Sequence, residues 1–168
     1  MNEGVLNDSS PRAFCAFRAD ARLYGIDVAC LREISANTTI TPVPRAPPVI
    51  RGLANLRSRI FLILDLRALL GLPPAPCTAD SRLIILKPTV AEDMGLLADR
   101  GGDILTALPD RIASVDAALP MSDAPSADQA RSLVVGMCKL ENELMMIIDA
   151  VRLADTVARA TTNTEVIR

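Results

Sequence analysis

The 168-residue chain contains no histidine and no tryptophan, and its aromatic side chains are limited to Phe14, Phe17, Tyr24 and Phe61. Without His, neither a Ser-His-Asp nor a Cys-His catalytic set can be assembled, and no His-ligated metal site is available. With 2% aromatic residues, the stacking surfaces on which small barrels hold single-stranded nucleic acid are nearly excluded. No apolar run approaches the ~20 residues that span a bilayer, and the opening MNEGVLNDSSPR lacks a basic region followed by an apolar one. Cysteine is sparse: Cys15, Cys30, Cys77 and Cys138 form no CxxC and no metal-site spacing, so they read as small hydrophobes in a reducing cytoplasm. No Gly-rich phosphate loop and no paired-acid constellation is visible, so neither a cofactor nor a catalytic residue is assigned.

What is present is a chain that is 50% apolar and 23% charged, enough to bury about 70% of its unfolded surface as one domain. Residues 1–12 are polar and read as a flexible tail, and residues 159–168 as a second one. Between them, apolar residues come in short packets: 13–18, 23–28, 38–43, 50–56, 60–64, 83–86, 94–98, 104–108, 133–140 and 144–148. Most hold four to eight residues rich in Ile, Val, Leu and Phe and bounded by Gly, Pro, Asn or Asp, which predicts about ten short strands. Helical spacing is found over Val28 to Ile34, over Leu66 to Leu70 and from Ala150 to Ala160. Asp116 to Gln129 has no periodicity and reads as an exposed loop.

The formal net charge of -2 gives no chain-wide attraction to nucleic acid or anionic lipid. Arg45, Arg51, Arg57, Arg59 and Arg67 nevertheless share their segment with a single acid, Asp65, for a local charge of +4.

An internal repeat organises the chain. GLANLRSRIFLILDLRAL (52–69) lies over GMCKLENELMMIIDAVRL (136–153) at a constant offset of 84, which matches Gly52 with Gly136, Ile63 with Ile147 and Asp65 with Asp149. Each copy reads as strand, turn, apolar strand, then an Asp that caps a helix. A weaker echo at an offset of 70 pairs RAFCAFR with RLIILK, Gly25 with Gly95 and Ile34 with Ile104. The reading is two related halves of about five strands each, the number at which small sheets curl into barrels to dispose of their edges.

YGIDVACLREI (24–34), TPVPRAPPVIRGLANLR (41–57) and IFLILDLRALLG (60–71), with the later MGLLADRGGDIL and VVGMCKLENELMMIIDAVRL, resemble the CheW family of bacterial chemotaxis coupling proteins. The resemblance covers residues 13–158. It implies an all-β fold: two five-stranded SH3-like barrels of related sequence around a shared apolar core, with short helices and a C-terminal helix. It also implies a non-enzymatic scaffold without cofactor or metal, linking the cytoplasmic tips of methyl-accepting chemoreceptors to the regulatory domain of a CheA-type histidine kinase. Such a protein would sit in the cytoplasm at membrane-associated receptor arrays, held there by its partners and with no direct membrane insertion.

Motif matching then nominates Leu31, Glu33, Ile34, Gly52, Asn55, Arg57 and Ser58 as receptor-binding candidates and leaves the kinase-binding residues unassigned. Each has a plainer reading. Gly52 and Asn55 are turn formers, Ile34 is core, Leu31 and Glu33 lie at the rim of a groove between barrels, and Arg57 is either a solvated charge or an interface contact. Glu33 and Arg57 are expected to form an ion pair. Ser58 stands where the family has Gly and is expected at positive φ. The competing function classes are a small-barrel nucleic-acid-binding protein using the Arg45 to Arg67 segment, and an enzyme built only on Asp, Glu, Ser, Lys or Cys.

Overall fold

A strand whose residues are all apolar needs burial on both of its faces, and that requirement organises the molecule. The computed structural model describes residues 10–115 and 127–165. Twelve strands lie among them: β1 (Arg12–Ala19), β2 (Arg22–Asp27), β3 (Leu31–Ala36), β4 (Ile40–Thr41), β5 (Ile50–Leu56), β6 (Arg59–Asp65), β7 (Arg82–Leu86), β8 (Met94–Ala98), β9 (Arg100–Ala107), β10 (Ile112–Ser114), β11 (Val134–Lys139) and β12 (Leu144–Ile148). The helices are α1 (Leu66–Leu69), α2 (Ala127–Leu133) and α3 (Ala150–Glu165). The strands form two sheets, in the orders β3-β7-β8-β6-β5-β4 and β9-β1-β2-β12-β11-β10. Each sheet holds five full strands and one short edge strip, β4 or β10, so the expected five become six.

The unbroken apolar runs are explained by three clusters. On β1, Phe14 and Ala16 face a cluster with Leu23, Cys138, Met145 and Ile147, the interior of the second barrel. Their neighbours Cys15, Phe17 and Ala19 face the opposite way, into a core shared by both barrels with Tyr24, Ile26, Leu64 and Ile84. The first barrel's interior is Ala54, Phe61, Ile63, Leu83 and Ile85. Within the shared core, Phe17 and Tyr24 stack with ring centroids 6.3 Å apart. The helices α2 and α3 close it with Ala130, Leu133, Leu153 and Val157. Burial pushes the Cys15 thiol up to about 11, the Asp103 charge adding to the effect, so it is an inert hydrophobe; Cys77, by contrast, is exposed.

Both repeats are visible in the sheet registers. β5, β6 and α1 occupy in one barrel the places of β11, β12 and α3 in the other. Each barrel contains one parallel pairing, β6 with β8 and β12 with β2, and there Ile63 lies opposite Gly95 just as Ile147 lies opposite Gly25. The weaker echo is thus also real, and its place in the chain shows that β1 and β2 close the second barrel, with the first barrel inserted between β2 and β9. One detail differs. Ile84 pairs with Leu96 and Ile34, while Cys15 pairs with Ile26 and Ile104, so β1 sits one residue away from the expected alignment on β7.

Other departures are local. Val28 to Ile34 is a 3-10 turn (Val28–Cys30) followed by β3, not a helix. The 38–43 packet contributes only β4, and β10 was not anticipated. α3 runs on through residues 159–165, which the sequence reading assigned to a tail, and β1 takes in Arg12. α2 begins at Ala127, inside the expected 116–129 loop; the rest of that loop, most of the N-terminal tail and residues 166–168 lie outside the described residues. Asp65 and Asp149 cap their helices as expected, Asp65 accepting from the Ala68 N–H and Asp149 from those of Val151 and Arg152.

Asp99, the residue between β8 and β9, holds the crossover from one barrel to the other. It accepts hydrogen bonds from Arg67 Nε at 2.9 and 3.0 Å and from the Asp20 N–H at 2.7 Å, tying α1 of the first barrel to the β1–β2 turn of the second. Burial raises its pKa, but the Arg67 and Asp20 hydrogen bonds and the Arg67 charge outweigh it, and the net position is below the ordinary value. A carboxylate whose folded pKa lies below its unfolded pKa of about 3.9 stabilises fully above that pH and loses the contribution as pH falls through the folded value. Asp99→Asn is therefore expected to lower the thermal midpoint at neutral pH, and the deficit should shrink on acidification below about pH 4. Thermal unfolding of both proteins across pH checks this; a deficit independent of pH would show that the latch is not electrostatic.

Candidate functional site

The site forms at the end of the first barrel, and a β-bulge on β3 creates it. Leu31 lies opposite Leu86 and Glu33 opposite Ile85, so two residues of β3 face one step of β7 and Arg32 is the extra one. Leu31 and Ile34 therefore both turn to the shared core, three positions apart, while Arg32 and Glu33 both turn to the barrel's end. Leu31 is 9% exposed and belongs to the core, which corrects its expected place at a groove rim. Ile34 is half-buried against the same core, as expected, close to Gly102 of β9.

The second contributor is the β5–β6 hairpin. Leu56 pairs with Arg59, leaving Arg57 and Ser58 as a two-residue turn with φ of 53° and 66°. Two successive positive φ values are the pattern of a type I′ turn, whose twist matches that of the flanking strands. The turn carries Arg57 toward β3, where its Nη1 lies 3.7 Å from Glu33 Oε2. Arg57 is 84% exposed and Glu33 24%, so in the free protein the pair is worth ~0 to 1 kcal/mol.

The remaining candidates are split. Asn55 is exposed on β5 across from Ile60, itself 59% exposed, beside the turn. Gly52 is buried, with φ +150°, and a Cβ there would come within 2.2 Å of the Thr41 carbonyl oxygen, so its role is to let β4 approach β5. Glu33, Arg57 and Ser58 are thus brought together and Asn55 is adjacent; Leu31 and Ile34 anchor β3 in the core, and Gly52 lies apart at the β4–β5 contact. Sequence reading missed Arg32, whose guanidinium lies 5.7 Å from the centre of the Phe61 ring. The signal available is the three-residue spacing of Leu31 and Ile34, which imitates a helical turn.

The +4 segment does not make an open cationic field. Arg51 pairs with Asp65 at 3.3 Å, Arg57 with Glu33, Arg59 with Asp93 and Glu92, and Arg67 with Asp99 and Asp20. Phe14, Phe17, Tyr24 and Phe61 are all buried. A nucleic-acid-binding surface would need a field of free cations and exposed rings; of the segment's five arginines only exposed Arg45 has no ion pair among the described residues, and no ring is exposed.

Ser58 holds positive φ at the cost of a Cβ that this conformation disfavours, and its hydroxyl makes no hydrogen bond among the described residues that would offset it. Ser58→Gly is expected to raise stability by roughly 0.5 to 1 kcal/mol, seen as a higher urea midpoint at unchanged m. A lower midpoint would mean that chain entropy outweighs the relief of strain.

Comparison with known proteins bears on the family and the fold. The CheW-like domain family matches residues 13–158. The chain is 32% identical to the chemotaxis protein CheW of Rhizobium meliloti over 138 residues, covering 82% of this chain and 84% of the relative. It is 31% identical to the CheW of Bacillus subtilis over 134 residues, 80% and 81% of the two chains. Among solved structures, the scaffolding protein TtCheW from Thermoanaerobacter tengcongensis superposes with a TM-score of 0.70 at 24% identity, over 83% of this chain and 90% of that one, and shares the fold. On its sequence and its pair of interleaved barrels, the chain belongs to the CheW-like family of chemotaxis scaffold proteins.

Proposed function

We propose that this protein is a non-enzymatic scaffold that couples transmembrane chemoreceptors to a CheA-type histidine kinase, and that the receptor's cytoplasmic tip meets the rim formed by Glu33, Arg57, Ser58 and Asn55. The observation that carries the reading is the Glu33–Arg57 pair, which joins two strands distant in sequence at an exposed end of the first barrel. An interface that covers this pair would exclude water from it and strengthen it. No described helix is long and apolar enough to cross a membrane, so attachment to receptor arrays would come through partners.

A second observation bears on the kinase. At the offset of 84, Arg57 and Arg59 correspond to Glu141 and Glu143; Arg59 and Glu143 are held in ion pairs with Asp93 and Arg18, so the two hairpins differ in charge chiefly at exposed Arg57 and exposed Glu141. Faces of opposite charge suit different partners, and this favours receptor and kinase docking on separate barrels.

The test is a double-mutant cycle on the affinity for a chemoreceptor cytoplasmic fragment, measured by calorimetry. Glu33→Ala and Arg57→Ala should each weaken binding, and the double variant should lose less than the two combined, by about 0.5 to 1 kcal/mol or more. Strict additivity would count against the pair as a unit of recognition, and undiminished binding in both single variants would remove the rim from the interface.

A further inference from the structure

We infer that Arg32 is a further partner-contacting residue of the same rim and that it recognises a carboxylate on the chemoreceptor; the inference rests on the receptor-coupling reading above. The bulge is the first reason. In a regular strand Arg32 and Glu33 would point to opposite faces, but the extra residue sets both toward the barrel's end while Leu31 and Ile34 keep the shared core. Bulges are used where a strand has to re-aim a side chain, and here the side chain gained at the surface is a cation.

The second reason is the way the cation is held. The Arg32 guanidinium carbon lies over the Phe61 ring, 5.7 Å from its centroid, a cation–π contact that favours this placement of the long side chain before any partner arrives. Arg32 is exposed, and a guanidinium's donors are spaced to match a carboxylate's two oxygens. The third reason is that the nearby acids are engaged elsewhere. Glu33 is paired with Arg57, and Asp93 and Glu92 with Arg59. Among the described residues no carboxylate pairs with Arg32, so it leaves the rim with an excess positive charge, which suits an acidic side chain on the incoming receptor.

Three substitutions and one probe test this. Arg32→Met keeps an apolar cover on Phe61 without charge, Arg32→Lys keeps the charge, and Arg32→Glu reverses it; the probe is the chemoreceptor cytoplasmic fragment, titrated at low and high salt. Arg32→Met should fold with an unchanged thermal midpoint yet bind about tenfold more weakly, Arg32→Lys should recover part of the loss, and Arg32→Glu should be weakest. The gap between wild type and Arg32→Met should narrow as salt rises. A receptor fragment with one of its surface Asp or Glu residues changed to Lys should restore binding to Arg32→Glu. Wild-type binding by Arg32→Met, or a loss that tracks a lowered thermal midpoint in all three variants, would overturn the inference and leave the receptor reading standing. Failure of the unmodified chain to bind the fragment would overturn both.

Discussion

The architecture depends on one long-range contact, the parallel pairing of β2 with β12. Leu23, Tyr24 and Gly25 lie beside Met145, Met146 and Ile147, and without that register the second barrel has no closing strands. The first barrel is continuous in the chain from β3 to β8, whereas the second must draw β1 and β2 from the N-terminal end and the rest from beyond Asp99. Closing it places the outer faces of β1 and β2 against the outer faces of β6 and β7, and Phe17, Tyr24, Ile26, Leu64 and Ile84 become one core. A core shared in this way makes each barrel a wall of the other. The latch at Asp99 adds direction to that apolar contact, because its hydrogen bonds to Arg67 and Asp20 hold only in one relative placement of α1 and the β1–β2 turn.

The site inherits its geometry from this frame. β3 is the first strand after the crossover from the second barrel, and Leu31 and Ile34 anchor it in the shared core. With both anchors fixed and one residue too many between them, the strand bulges and turns Arg32 and Glu33 to the surface together. The β5–β6 hairpin meets them there because its I′ turn is too tight to deviate, so Arg57 arrives within reach of Glu33. The rim is small and charged, and its positions are set by the packing beneath it.

Much of this was legible in the sequence for a physical reason: strands that are buried on both faces leave short runs of Ile, Leu, Val and Phe, and an ungapped repeat must fold twice. β5 and β6 were legible on that ground, and so was the equivalence of Ile63 in one barrel to Ile147 in the other. The bulge was not, since an inserted residue changes the apolar spacing of β3 from two to three and imitates a helical turn over Val28 to Ile34. The one-residue displacement of β1 against β7 was hidden as well, because Asp20 and Ala21 make a two-residue turn where the corresponding link from β7 to β8 spans 87–93. Pairing of charges was the least legible. The +4 segment looks basic in a sum, yet Arg57, Arg59 and Arg67 find carboxylates contributed by other strands and loops, while Arg51 pairs with the segment's own Asp65.

The central claim is that one molecule holds a chemoreceptor and a histidine kinase together, each on a different barrel. Sedimentation velocity on a mixture of the protein, a chemoreceptor cytoplasmic fragment and the kinase's regulatory domain tests it most directly. The account predicts a ternary species heavier than either binary complex, in which neither partner displaces the other as its concentration is raised. Two binary species that exchange with one another, with no heavier boundary at any ratio, would contradict it.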